Sequence, residues 1–117
     1  LLPSILPSFT YIPMVMRSTL PTPTPTFVCI PNAKPVVTNA LCTGSDGNWG
    51  CVLDFQNADC RPISDVKISF LINGQFARLL DSGSYMLQPG EMFYFSWFEH
   101  NITIDYWSYS IDSWIVH

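Results

Sequence analysis

Val66-Lys67-Ile68-Ser69-Phe70-Leu71-Ile72-Asn73-Gly74-Gln75-Phe76-Ala77-Arg78-Leu79-Leu80 is the stretch that decides the fold. Val66, Ile68, Phe70 and Ile72 fall on one side of an extended chain, Lys67 and Ser69 on the other. That period of two belongs to a strand with one buried face. Asn73-Gly74 follows at once, and both residue types accept positive φ, so the chain reverses in two residues and returns as a second strand.

The same alternation of apolar runs and turn signals extends outward. Runs at Phe27–Ile30, Val36–Leu41, Trp49–Phe55, Ile63–Ile72, Phe76–Leu80, Met92–Phe98, Ile102–Tyr109 and Ser113–Val116 are separated by Gly44-Ser45-Asp46-Gly47, Asn57-Ala58-Asp59, Asp81-Ser82-Gly83 and Gln88-Pro89-Gly90. No stretch shows a 3.6-residue apolar period over helical length. Roughly seven or eight short strands between residues 27 and 117 predict an all-β, two-sheet antiparallel β-sandwich. Both alternating faces of Met92–Phe98 are apolar, which predicts a strand that is central or covered on both sides.

Residues 1–26 read differently, as an extended N-terminal arm. Prolines at 3, 7 and 13 forbid a regular helix, yet Leu1, Leu2, Ile5, Leu6, Phe9, Tyr11, Ile12, Met14, Val15 and Met16 crowd into the same segment. Leaving one such side chain in water rather than buried costs about 1.5–3 kcal/mol. Tyr11–Thr19 is expected to form a single strand with two apolar faces, Pro13 costing one ladder bond. Leu20–Phe27, with its alternating Thr-Pro, is expected to be a stiff polyproline II spacer. Thr22, Thr24 and Thr26 are candidate O-glycosylation sites, and Asn101-Ile102-Thr103 is an N-glycosylation sequon.

Cys29, Cys42, Cys51 and Cys60 fit two disulfides in a secreted or cell-surface domain, with three pairings open. Zinc sites use closer pairs of cysteines. The first residues lack the basic stretch of a secretory leader, and their prolines interrupt any leader-like apolar core. No apolar run reaches the roughly 18 residues of a membrane-spanning helix. Five scattered basic residues in a chain of net charge −4 leave no stripe to neutralise phosphates, so nucleic acid is not an expected partner. A mean hydropathy of +0.22 implies apolar surface in excess of one small core.

Catalytic patterns are absent from the sequence: it has no G-x-S-x-G, H-E-x-x-H or P-loop, and its only histidines are His100 and His117. The chain is therefore not expected to be an enzyme, and no cofactor or metal is expected. Glu99-His100 reads as part of an exposed turn. Asp46-Gly47-Asn48, with Asp54 or Asp59, lacks the acidic density of a calcium site and reads as a polar turn. Aromatics make up 15 % of the chain. Most of those near the C-terminus suit a sandwich core, while Trp49, Trp107 and Tyr109 are candidates for an exposed ligand platform, Trp49 foremost because it lies between small residues.

Ile63-x-x-Val66-x-Ile68, followed by Leu87-x-Pro89-Gly90-x-x-x-x-Phe95, resembles the middle of the secreted carbohydrate-binding β-sandwich modules attached to cellulases. The resemblance covers about a third of the chain and implies a sandwich fold and binding of glycans. The binding-face tryptophans of those modules have no matching positions here.

Two functions are therefore expected. The first is an extracellular structural subunit whose arm packs on copies of itself, head to tail, into a fibre. An extended 26-residue arm reaches at most about 85–90 Å, against a domain diameter near 30 Å. The second is a carbohydrate-binding or adhesion module with a Thr-Pro linker.

Overall fold

The computed structural model describes residues 26–117. The arm positions Leu2, Ile5, Leu6, Phe9, Tyr11, Ile12, Met14, Val15 and Met16, and Thr22 and Thr24 of the spacer, lie outside the described residues. The described chain is all β: β1 (Val36–Ser45), β2 (Asn48–Gln56), β3 (Ile63–Ile72), β4 (Gln75–Asp81), β5 (Met92–His100) and β6 (Trp107–Val116). They form two antiparallel three-stranded sheets, ordered β1-β2-β5 and β4-β3-β6. This is the antiparallel sandwich that the alternating pattern predicts.

Two hairpins anchor the sheets. Ile72 pairs with Gln75 around Asn73 (φ 53°) and Gly74 (φ 80°), and Ser45 pairs with Asn48 around Asp46 (φ 55°) and Gly47 (φ 81°). Paired positive φ values twist a two-residue turn the way its strands twist. At Gly74 the positive φ favours glycine, and an added Cβ would also push aside the hydroxyl end of exposed Tyr106, 2.9 Å away.

β2 and β3 are the central strands and supply the core: Cys51, Leu53 and Phe55 from one, Val66, Ile68, Phe70 and Ile72 from the other, none above 4 % exposed. Phe70 meets Trp97 of the opposite sheet edge-on, with centroids 5.0 Å apart. At one margin the Trp107 indole donates to the Ala40 carbonyl. At the other, Arg78 reaches Glu99. The sheets thus stack in matching order, β6 facing β1 and β4 facing β5.

Strand boundaries depart from expectation in three places. Phe27–Ile30 forms no strand, because it is held by Cys29–Cys60 and by Ile30 N–H donating to Ala58 O. Ile102–Tyr109 enters a strand only at Trp107, since Asn73 takes the backbone N–H groups of Asp105 and Tyr106 on its side-chain oxygen. Ser113–Val116 is continuous with Trp107 in β6 rather than separate.

Of the three open disulfide pairings, the chain adopts Cys29–Cys60 and Cys42–Cys51. The second joins directly opposed residues of β1 and β2. The first closes over a buried polar hub. Asn57, fully buried, donates its side-chain amide to Arg61 O and Leu87 O and accepts from the Asp59 N–H. Buried amides need such partners, and this one ties the β2–β3 loop to the Pro89-Gly90 turn. Asp59 beside it takes Arg61 at 3.1 Å, and the Arg61 hydrogen bond is the main cause that holds its carboxyl below the usual value.

Candidate functional site

The outer faces of the two sheets have opposite character. On β4-β3-β6, Lys67 pairs with Asp81 at 3.1 Å, and Ser69 and Ser110 both donate to Asp112. That is a hydrogen-bonded face suited to water. On β1-β2-β5 the register brings Leu41 beside Val52, Val52 beside Ser96, Asp54 beside Tyr94, and Gly50 beside Phe98. Tyr94 is 67 % exposed and Phe98 70 %.

Gly50 gives the Phe98 ring room to lie on the sheet, a Cβ at that position falling 3.7 Å from the ring. His100 stacks beside it, with centroids 6.4 Å apart and planes 18° from parallel, and its Nδ1 lies 3.1 Å from the Asn48 side-chain oxygen. The result is a flat, largely uncharged strip along β5.

Each of the other three edge strands carries a bulge. The register skips Thr38 in β1, Ala77 in β4 and Asp112 in β6. β5 pairs with β2 residue for residue from Met92 to His100 without a shift. Between Met92 and Phe98 it has no charged residue and no proline. Bulges, prolines and charges are the devices that keep sheet edges from pairing further, and this part of β5 has none of them. The strand expected to be central or covered on both sides is an edge strand whose outer face is uncovered among the described residues. Its sequence alternation is that of an interior strand because two of its outward positions, Tyr94 and Phe98, are aromatic.

The chain leading from the arm arrives at the start of this edge. Phe27 packs on Gly90, two positions before β5, so closely that a Cβ there would lie 2.8 Å from the ring. Gly90 (φ 85°) follows Pro89 in a turn closed by Glu91 N–H to Gln88 O at 2.9 Å. Glu91 fastens the same turn, accepting from Gln88 N–H and from the Tyr85 hydroxyl. The Tyr85 hydrogen bond, first, holds the Glu91 carboxyl below its usual value, and the Glu91 hydrogen bond raises the Tyr85 hydroxyl.

Of the platform candidates, Trp49 and Trp107 are turned inward. The Trp49 indole donates to Ile102 O at 3.0 Å, the Trp107 indole to Ala40 O at 3.3 Å, and both rings pack on the core. Small neighbours suggest exposure for Trp49, but they equally allow the indole to turn inward near the end of its strand, toward Ile102 O. Tyr109 is exposed, on the sheet opposite Phe98. The structure does not gather these three into one surface. The aromatic surface it does form, Tyr94 with Phe98 and His100, was signalled in sequence by the second apolar register of Met92–Phe98. Glu99 and His100, expected in a turn, are the last two residues of β5.

Thr26 and Asn101 are exposed. Among the described residues no group of three or more histidine, cysteine or acidic side chains is placed to hold a metal. Among the same residues no helix is long and apolar enough to cross a membrane. The two disulfides are compatible with an extracellular protein. No protein-family model, curated protein or solved structure matches this chain.

Proposed function

We propose that the protein is an extracellular structural subunit, the apolar arm of one copy adding as a strand to the β5 edge of the next. The observation that carries this reading is the unblunted, doubly apolar β5 edge, alone among the four edge strands in lacking a bulge. Strand addition joins main-chain hydrogen bonds to side-chain pockets of alternating register. An arm segment apolar on both faces matches an edge strand apolar on both faces.

The expected length of the spacer lets the arm reach a neighbour's edge. The seven residues Leu20–Thr26, as polyproline II, span about 22 Å, and the nine residues of β5 span about 30 Å. Donation to a second copy is heterologous, and a repeat that does not close into a ring grows as a fibre. Val15→Asp, which puts a charge in the arm's strand segment, is expected to abolish polymer and leave the disulfide-bonded domain folded. Polymer of unchanged length from that variant would refute strand donation.

A second reading, glycan recognition, is favoured by Tyr94 and Phe98 standing exposed on one flat face. Under it, Tyr94→Ala loses retention on insoluble polysaccharide at unchanged stability. Equal retention removes Tyr94 from consideration.

A further inference from the structure

Phe98 lies just before the sequon, at the end of β5. Phe98-Glu99-His100-Asn101-Ile102-Thr103 places an aromatic residue three positions before the acceptor asparagine. β5 ends at His100, and Asn101 (φ 56°) turns the chain away from the sheet. The turn is fixed: Ile102 N–H donates to Gly47 O at 3.3 Å, Ile102 O accepts the Trp49 indole, and Thr103 O accepts the Asn73 amide at 2.8 Å. Asn101 and Thr103 are exposed. His100, the residue before the acceptor, stacks beside the Phe98 ring.

We infer that Asn101 carries an N-linked glycan whose first N-acetylglucosamine packs on the outer face of Phe98. Such a sugar has one face lined with C–H groups, and an aromatic ring with a negatively polarised face receives it. Three residues of strand separate Cα98 from Cα101 by about 10 Å, and a glycan folding back from Asn101 over His100 returns toward the ring. The side chain that is otherwise the most exposed aromatic of β5 thereby gains a cover supplied by the chain's own modification.

The transfer itself requires a polyprenyl-diphosphate-linked oligosaccharide. The Asn101 Nδ2 forms a bond to C1 of the first sugar, the C1–O bond to the diphosphate breaks, Nδ2 gives up one proton, and the lipid diphosphate leaves. The inference rests on passage through a secretory compartment and not on polymerisation, and it places the sugar at the Phe98 end of the same β5 strand that the proposed function gives to the arm.

The test uses the full chain secreted from a eukaryotic host as wild type, Thr103→Ala, Phe98→Ala and the double variant. Thr103→Ala removes the sequon and keeps the residue that adopts positive φ. Mass spectrometry is expected to find Asn101 occupied in wild type and in Phe98→Ala. Loss of the glycan through Thr103→Ala is expected to lower Tm by about 4–8 °C when Phe98 is present and by less than about 2 °C when it is alanine. The same pairs made without glycosylation should show no such difference, which isolates the sugar from the threonine. An unoccupied Asn101 in secreted wild type, or equal Tm losses in both backgrounds, overturns the inference.

Discussion

Arg78 of β4 and Glu99 of β5 meet across the two sheets, the guanidinium Nε donating to Oε2 at 3.2 Å. The same oxygen accepts the Trp97 indole N–H at 2.9 Å. Glu99 is only 15 % exposed, whereas Arg78 is 42 % exposed. One carboxylate thus locks the sandwich on the side where β5 presents its free edge.

Removing that carboxylate leaves a buried indole N–H without its acceptor. Glu99→Ala is expected to cost about 1–3 kcal/mol, and Arg78→Ala, losing an exposed ion pair, less than about 1 kcal/mol. Urea unfolding of both variants measures the difference, and an equal loss would show that the ion pair rather than the indole bond dominates.

The two disulfides differ in the length of chain they close. Loop-closure entropy gives about 3–4 kcal/mol for Cys29–Cys60, separation 31, and about 2–3 kcal/mol for Cys42–Cys51, separation 9. Paired serine substitutions should therefore be more damaging at 29 and 60. The expected order is read from two thermal melts.

Acid should weaken the loop hub. Asp59 has its carboxyl depressed in the folded state, chiefly by the hydrogen bond from Arg61. A depressed carboxyl contributes stability that is fully present above its unfolded value of about 3.9 and is lost as pH falls through the folded value. Stability is expected to drop below about pH 4, and Asp59→Asn should flatten that part of the profile. Glu91, also depressed, adds a loss of the same sign. Denaturant unfolding between pH 2 and 7 follows both.

Trp49→Ala separates core from platform. Because its indole is bonded to Ile102 O and packed on the core, truncation is expected to lower Tm markedly, with about 3–5 kcal/mol lost if the site does not collapse. An unchanged Tm would mean that the ring is dispensable for folding and free to serve as a platform.

The sequence made some of this legible and concealed the rest for definite reasons. Val66–Ile72 with Asn73-Gly74 announced β3, its turn and β4, because alternation and left-handed turn residues are local signals. Gly44-Ser45-Asp46-Gly47 marked a turn between β1 and β2 but not its two-residue register around Asp46-Gly47. The disulfide pairing was not legible, since it depends on which loop meets Cys29 in space. Trp49 and Trp107 read equally well as platform or core, because an indole's direction is settled by a distant carbonyl. Met92–Phe98 was recognised as apolar on both faces, but a cover inside the fold and a cover from outside it leave the same pattern. Only the sheet order places β5 at an edge, with its outer face uncovered among the described residues.

Sedimentation with electron microscopy of the full chain, beside a Tyr94→Lys/Ser96→Lys variant, tests strand donation at β5 most directly. Both positions are exposed on the outer face of that edge, so lysines there should leave the fold intact while making it a poor acceptor. The expected result is fibres from the wild-type chain and monomers from the variant, with the same circular dichroism. Monomers from the wild-type chain, or fibres of equal length from both, would contradict assembly through β5.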